Sequence, residues 1–176
     1  MKIKNTAELR RRANAHARND RIAQGTYGDA SVNGHVEYHG CAIGCLSTPH
    51  RKAELRTYLL SQGADILDIP RPNVEAMLRR LSREFGISPA LARCAEAIFE
   101  TLPTHGAAIE FIPKFAASLN EGADITPAAL RNVWPDIIDT HGGWSYVTSD
   151  RAKWPRSERA AVAAEQFLRW LRAQRP

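Results

Sequence analysis

The feature that most limits the fold is a helix-start signal that recurs three times along the chain. Each copy places a serine or threonine directly before a proline, at Thr48-Pro49, Ser88-Pro89 and Thr126-Pro127. The hydroxyl side chain caps a helix N-terminus, and proline is favoured at the first helical position because its fixed φ suits a helix and its missing N–H is not needed there. The signal therefore predicts three helix starts in a mainly helical chain.

Apolar side chains recur at helical spacing in the segment from Asn73 to Phe85, which Gly86 follows, and in the segment after Pro89. A third such stripe lies near the C-terminus. We expect these faces to form the core: Val74, Met77, Leu78, Leu81 and Phe85; Leu91, Ala95, Ile98, Phe99 and Leu102; Ala160, Ala164, Phe167, Leu168 and Leu171. Because Pro113 and Pro135 interrupt helical patterns over 107–119 and 127–140, those helices should be kinked or shortened.

The N-terminal region combines a helix and a hairpin signal. Asn5 and Glu8 have the spacing of a capping box, so a helix is predicted from Thr6 to Gln24, where Gly25 can end it. Asn33-Gly34 is a strong two-residue turn signal between short β-prone stretches. The sequence therefore predicts a mainly α fold with a small β-hairpin, a single-domain compact bundle of about six helices.

Length and composition are those of one globular domain. The 176 residues, 44% of them hydrophobic, suffice for one core. We divide the domain into a basic N-terminal helix (1–24), a hairpin and cysteine segment (25–47), a helical core (48–140), and a loop with a basic C-terminal helix (141–176). Without a long apolar run or a signal-peptide start, we expect a cytoplasmic protein without a membrane partner.

Charge is distributed unevenly along the chain. Residues 1–24 and 151–176 each carry seven Lys or Arg against two acids, whereas the residues between carry ten against fifteen. One interpretation is that basic terminal helices cover and neutralise an acidic body. The other is a basic surface for a nucleic acid or an acidic protein, to which Arg11 and Arg18 would contribute.

Sulfur and imidazole groups are concentrated between residues 35 and 50. Cys41 and Cys45 lie in a glycine-rich segment, with His35 and His39 before it and His50 after it. A C-x3-C pair with a nearby histidine has zinc-ligand spacing, but a second ligand pair is not evident, and we assign no metal ligands. The plainer alternative is that both cysteines are small buried residues, while the odd count of three cysteines favours free thiols.

A catalytic interpretation makes Cys41 or Cys45 a nucleophile. A thiol at a loop-to-helix junction is activated by the helix N-terminus, and it needs a base. His16 is one candidate for that base, with Asp20 one turn later to orient it, and His50 is nearer in sequence. The alternative for His16 and Asp20 is a hydrogen-bonded pair that ties the first helix to the hairpin.

Four tryptophans fall in the last third of the chain. They more often seal the edge of a core, but Trp144 and Tyr146, beside Arg151 and Lys153, could instead stack on bases of a single strand. No phosphate-binding loop, dinucleotide fingerprint or zinc-protease motif is present, so we expect no cofactor.

Several short motifs resemble a loosely defined group of bacterial and phage proteins that share H-A-x-x-D, G-x-Y, G-C-A-x-G-C-L, a histidine and I-F-E-x-L-P. The matching residues here are His16 to Asp20, Gly25 to Tyr27, Gly40 to Leu46, His50, and Ile98 to Pro103. The resemblance implies that His16, Asp20, Tyr27, Cys41, Cys45 and His50 form one constellation, and it implies no particular activity.

From these observations we expect a helical interaction module, of phage or mobile-element type, that binds an acidic protein or nucleic acid through its basic terminal helices. The alternative is a cysteine-dependent hydrolase or transferase that uses the cysteine, histidine and aspartate set named above.

Overall fold

A computed structural model describes residues 1–26, 29–31, 37–61, 73–133 and 156–176 of the chain. Helices dominate these ranges, which confirms the predicted class. Eight helices are described, slightly more than the predicted six: α1 Thr6–Arg18, α2 Ala42–Ser47, α3 Lys52–Ser61, α4 Val74–Phe85, α5 Pro89–Phe99, α6 His105–Ser118, α7 over 127–133, and α8 Arg156–Ala173. None of them is long and apolar enough to cross a lipid bilayer.

The hairpin is present as two short antiparallel strands, β1 Asp29–Ser31 and β2 Glu37–His39, which pair Asp29 with His39. Its predicted turn at Asn33-Gly34 lies outside the described residues. The cysteine segment, too rich in glycine for a clear prediction, forms the buried helix α2.

Helices α4 and α5 form as their end signals predict. The side chain of Asn73 accepts a hydrogen bond from the Ala76 N–H, and that of Ser88 accepts one from Leu91. Gly86 ends α4 in the left-handed conformation, with φ of 68°. The predicted core residues of both helices are buried or partly buried, as are those of α8.

Helix α1 differs from its prediction at both ends. Asn5 makes no side-chain cap; instead the Glu121 carboxylate accepts hydrogen bonds from the N–H groups of Asn5 and Thr6, at 2.9 Å each. The helix stops at Arg18, well short of Gln24, and Asp20 has a left-handed φ of 51°. A contact with a distant carboxylate thus replaces the local capping box.

The first of the three serine or threonine-proline signals was wrong, and the third is confirmed. Helix α3 begins at Lys52, because Thr48 is held at the end of α2, where its hydroxyl donates to the Tyr38 hydroxyl at 3.2 Å. Thr126, by contrast, accepts a hydrogen bond from the Ala129 N–H at 3.1 Å, as a cap should.

Helix α6 is central to the packing. It runs antiparallel to α1, with Arg10 of α1 at its C-terminal end and Asp20 at its N-terminal end. Pro113 lies within the helix. A row of neighbouring phenylalanine rings, with centroids 6.2–6.4 Å apart, continues from α5 through α6 to α8: Phe99, Phe111, Phe115 and Phe167.

Both chain ends meet at the segment that follows α6. Ile3 exchanges backbone hydrogen bonds with Ala123 and Gly122, each at 2.8 Å. From the other end of the chain, the Gln174 carbonyl accepts from the Asn120 side chain at 2.6 Å. The two basic termini, far apart in sequence, are therefore neighbours in space.

Candidate functional site

Cys45 is sealed in the core. Its side chain is fully buried, and its thiol donates to the carbonyl oxygens of Gly40 at 3.1 Å and Arg21 at 3.3 Å. Burial raises the pKa of this thiol well above its ordinary value, since a thiolate would lose its hydration there. Cys45 therefore behaves as a small structural residue.

Cys41 directly precedes α2 and faces a carboxylate. Its backbone N–H donates to the Thr26 carbonyl at 2.6 Å, and its thiol donates to Glu96 Oε1 at 3.6 Å. Burial is the main reason that the pKa of Cys41 rises to about 12, and the nearby Glu96 raises it further. The thiol stays protonated near neutral pH without a cation beside it.

His16 is completely buried beside Tyr38. Its Nε2 lies 3.1 Å from the Thr48 carbonyl oxygen, so a neutral ring donates there, and its Nδ1 has no partner within the described ranges. Burial lowers its pKa to about 4. The imidazole is a neutral structural donor that ties α1 to the end of α2.

Asp20 does not meet His16. Its carboxylate binds His105 Nε2 at 2.9 Å, and both side chains are largely exposed. The physical reason is the early end of α1: beyond Arg18 the backbone leaves the helical path, so the expected one-turn spacing to His16 is lost.

His50 lies near a carboxylate of α1 and near Arg21. Its Nδ1 lies 3.6 Å from Glu8 Oε1, and its carbonyl accepts from Arg21 at 3.0 Å. Partial burial lowers the pKa of His50, and the Glu8 carboxylate opposes that shift.

The described hydrogen bonds do not assemble a nucleophile and base. Neither Cys41 nor Cys45 bonds to a histidine in the part of the chain that is described, and both thiols have raised pKa values. The hydrolase or transferase alternative stays a prediction that this geometry does not favour.

A different set of groups does converge on Cys41. Its Sγ and one carboxylate oxygen each from Glu96 and Glu100 all lie within 4.8 Å of one another. Glu100 also accepts a hydrogen bond from the Gly25 N–H at 2.7 Å, and burial raises the pKa of its carboxyl group. Thiolate and carboxylate groups bind metal ions. Among the described residues, this cluster is therefore the best candidate for a metal site.

The predicted basic residues have different environments. Arg11 is exposed and binds Glu8 at 2.8 Å, whereas Arg18 is exposed with no carboxylate partner among the described residues. Arg12 is buried, with its guanidinium over the Phe85 ring and 3.2 Å from Glu84. Tyr27, Trp144 and Tyr146 lie outside the described residues.

Sequence reasoning missed Arg10 and Arg172. Arg10 donates to the Leu119 carbonyl at 3.1 Å, and Arg172 donates to the Ser118 hydroxyl at 3.2 Å. It also missed Glu96. No local pattern marks these residues, because their roles depend on helices that meet only in the folded chain.

Comparisons with protein-family models, with curated proteins and with solved structures found no match to this chain.

Proposed function

We propose that this protein is a non-enzymatic binding module that holds the phosphate backbone of a nucleic acid on a surface built from both chain ends. The observation that carries the proposal is that Arg10 of α1 and Arg172 of α8 bind the same end of α6, within residues 116–119. The two basic terminal helices therefore present their cations together at this end of the molecule.

We call this region the terminal basic surface and define it by five exposed cations: Lys2, Lys4, Arg10, Arg172 and Arg175. None of the five has a carboxylate oxygen within 4.0 Å among the residues that the structure describes.

The two acidic groups of the adjoining segment lie beside this surface but pair with other groups: Glu121 accepts hydrogen bonds from Asn5 and Thr6 at the start of α1, and Asp124 binds the terminal ammonium of Met1 at 2.7 Å. The lack of ion pairs supports a surface with available positive charge, as opposed to one neutralised by the acidic body.

The scarcity of exposed apolar side chains favours a nucleic acid over an acidic protein. In the described ranges, the exposed large hydrophobic residues are Met1 and Leu60. Specific protein interfaces usually need a buried core of aromatic or aliphatic side chains surrounded by a polar rim. A phosphate backbone needs only spaced cations, with arginine especially suited because its planar fork matches phosphate oxygens.

The proposal is tested by fluorescence anisotropy with a labelled DNA duplex and a labelled single strand. The variant K2Q/R175Q removes two cations from the terminal basic surface whose side chains form no hydrogen bond or ion pair with the described residues, and K52Q/R56Q removes two exposed cations from α3 as a control of equal charge change. We expect the first variant to bind about 10-fold more weakly and to lose about two units of salt slope.

Equal losses in K2Q/R175Q and K52Q/R56Q would show a general charge effect and would contradict the proposed surface. Binding of an acidic protein but of neither nucleic acid would contradict the proposed partner.

A further inference from the structure

We propose that Cys41, Glu96 and Glu100 form a binding site for a divalent transition-metal ion of the zinc class. This inference is independent of the nucleic-acid proposal, because it concerns the opposite chemistry, a cation held by anionic ligands. It also differs from the zinc pattern that the sequence suggested, since Cys45 and the neighbouring histidines take no part.

The spacing of the ligand atoms fits a tetrahedral ion. A zinc ion with Zn–S of about 2.3 Å and Zn–O of about 2.0 Å places sulfur and oxygen about 3.5 Å apart. Cys41 Sγ and Glu96 Oε1 are 3.6 Å apart. One Glu100 oxygen lies within 4.8 Å of Cys41 Sγ and of a Glu96 carboxylate oxygen, so a side-chain adjustment of about 1 Å completes three bonds.

The surrounding backbone holds the ligands in place. Two hydrogen bonds connect the ligand residues to one short segment: the Gly25 N–H donates to Glu100 at 2.7 Å, and the Cys41 N–H donates to the Thr26 carbonyl at 2.6 Å. Three parts of the chain that are distant in sequence thus meet at one point. They are residues 25–26, the start of α2 and the end of α5.

The electrostatics of the cluster call for a cation. Two carboxylates and a thiol share a small volume, and Arg93 binds Glu96 through its Oε2 at 3.3 Å, on the carboxylate atom that does not face Cys41. A metal ion at this point would offset the repulsion between these groups and would release the thiol proton to solvent as it binds.

Access and ligand type indicate which metal fits. Cys41 and Glu96 are buried, whereas Glu100 is partly exposed and offers an entry side. A thiolate selects against magnesium and calcium, which prefer oxygen ligands alone. Three protein ligands leave a fourth tetrahedral position for water.

The test is a titration of the reduced, metal-free full chain with Co²⁺, whose thiolate complex absorbs strongly in the near ultraviolet, followed by displacement with Zn²⁺. We expect one ion per chain. E100Q should weaken Co²⁺ binding by about 10-fold or more, because it removes a charged ligand at a partly exposed position. E110Q, at an exposed glutamate on α6, is the matched control and should bind as the unchanged protein does.

The thiolate band reports the identity of the ligand. C41S should lose the band, and C94S should keep it. The proposal is overturned if no saturable one-to-one binding occurs, if the band survives in C41S, or if E100Q and E110Q bind equally. Should C41S fail to fold, the comparison of the two glutamate variants decides the matter alone.

Discussion

Burial changes the pKa values of His16 and Cys41, two side chains of the predicted constellation. Burial favours the neutral form of each, so it lowers the pKa of the histidine to about 4 and raises that of the cysteine to about 12. The two residues therefore act first as neutral packing and hydrogen-bonding groups. Their protonation states give direct experimental signatures.

The buried imidazole predicts a loss of stability in mild acid. The unfolded chain protonates His16 near its ordinary pKa of 6.5, whereas the folded chain does so only near 4, so stability falls as the pH drops through this window and levels off below it. We expect the free energy of unfolding, measured with urea, to decrease by about 2 kcal/mol between pH 7 and pH 5.

The variant H16Q should lose most of this pH dependence, while H105Q, which alters an exposed histidine, should retain it. A smaller residual dependence is expected from His50, whose pKa is also lowered. An unchanged pH slope in H16Q would contradict the assignment of a neutral buried imidazole.

The cysteines should react slowly in the folded, metal-free protein. We expect alkylation of Cys41 and Cys45 by iodoacetamide at pH 8 to be about 100-fold or more slower than in the unfolded chain, because little thiolate forms in either site. The partly buried Cys94, whose pKa rises to about 11, should be labelled before them. Mass spectrometry of each cysteine peptide over time measures the order, and rapid labelling of Cys41 or Cys45 would restore the nucleophile hypothesis.

At the scale of elements, the N-terminal segment packs closely on the glycine that ends α4. Gly86 has a φ of 68°, and a Cβ added there would overlap the Lys2 carbonyl group. At Gly25, which has a φ of 80°, a Cβ added in the same way would meet no other atom within 4 Å. Alanine variants at the two positions therefore distinguish two free-energy costs. Both variants place alanine in a left-handed conformation, but only the one at Gly86 also creates a steric clash.

We predict that G86A destabilises the protein by about 2 kcal/mol more than G25A. Both variants carry the roughly 1 kcal/mol penalty for alanine in a left-handed conformation, and only G86A must also move the N-terminal segment. Urea unfolding of the two variants measures the difference. Equal losses would mean that Lys2 does not pack closely on Gly86.

The sequence predicted elements whose ends are set locally. Asn73, Ser88 and Gly86 act through neighbours within a few residues, so α4 and α5 could be placed from the sequence. The end of α1 and the conformation of Thr48 could not, because distant groups decide them: Asp20 pairs with His105, and the Thr48 carbonyl accepts from His16.

The candidate sites show the same dependence on distant contacts. Cys41 could be singled out from its motif, but Glu96 and Glu100 approach it only because α5 packs on α2. The helical spacing of apolar residues in α5 gave no reason to single out Glu96. The sequence does not show which group a buried carboxylate on an apolar helix contacts.

At the scale of the whole molecule, the meeting of the two chain ends concentrates the charge. The chain has a net charge of +5, and both basic ends converge on the segment that follows α6. Arg12 does not add to this charged surface, because it is buried against Glu84. In the proposed function, the five cations of the terminal basic surface contact the phosphate backbone.

The most direct test of this account is the salt dependence of duplex binding by the unaltered protein. If the five cations of the terminal basic surface contact phosphates, the logarithm of the association constant should fall with the logarithm of salt concentration with a slope of about −4.5. A slope near zero, or no binding even at low salt, would contradict the proposal that this protein binds nucleic acid.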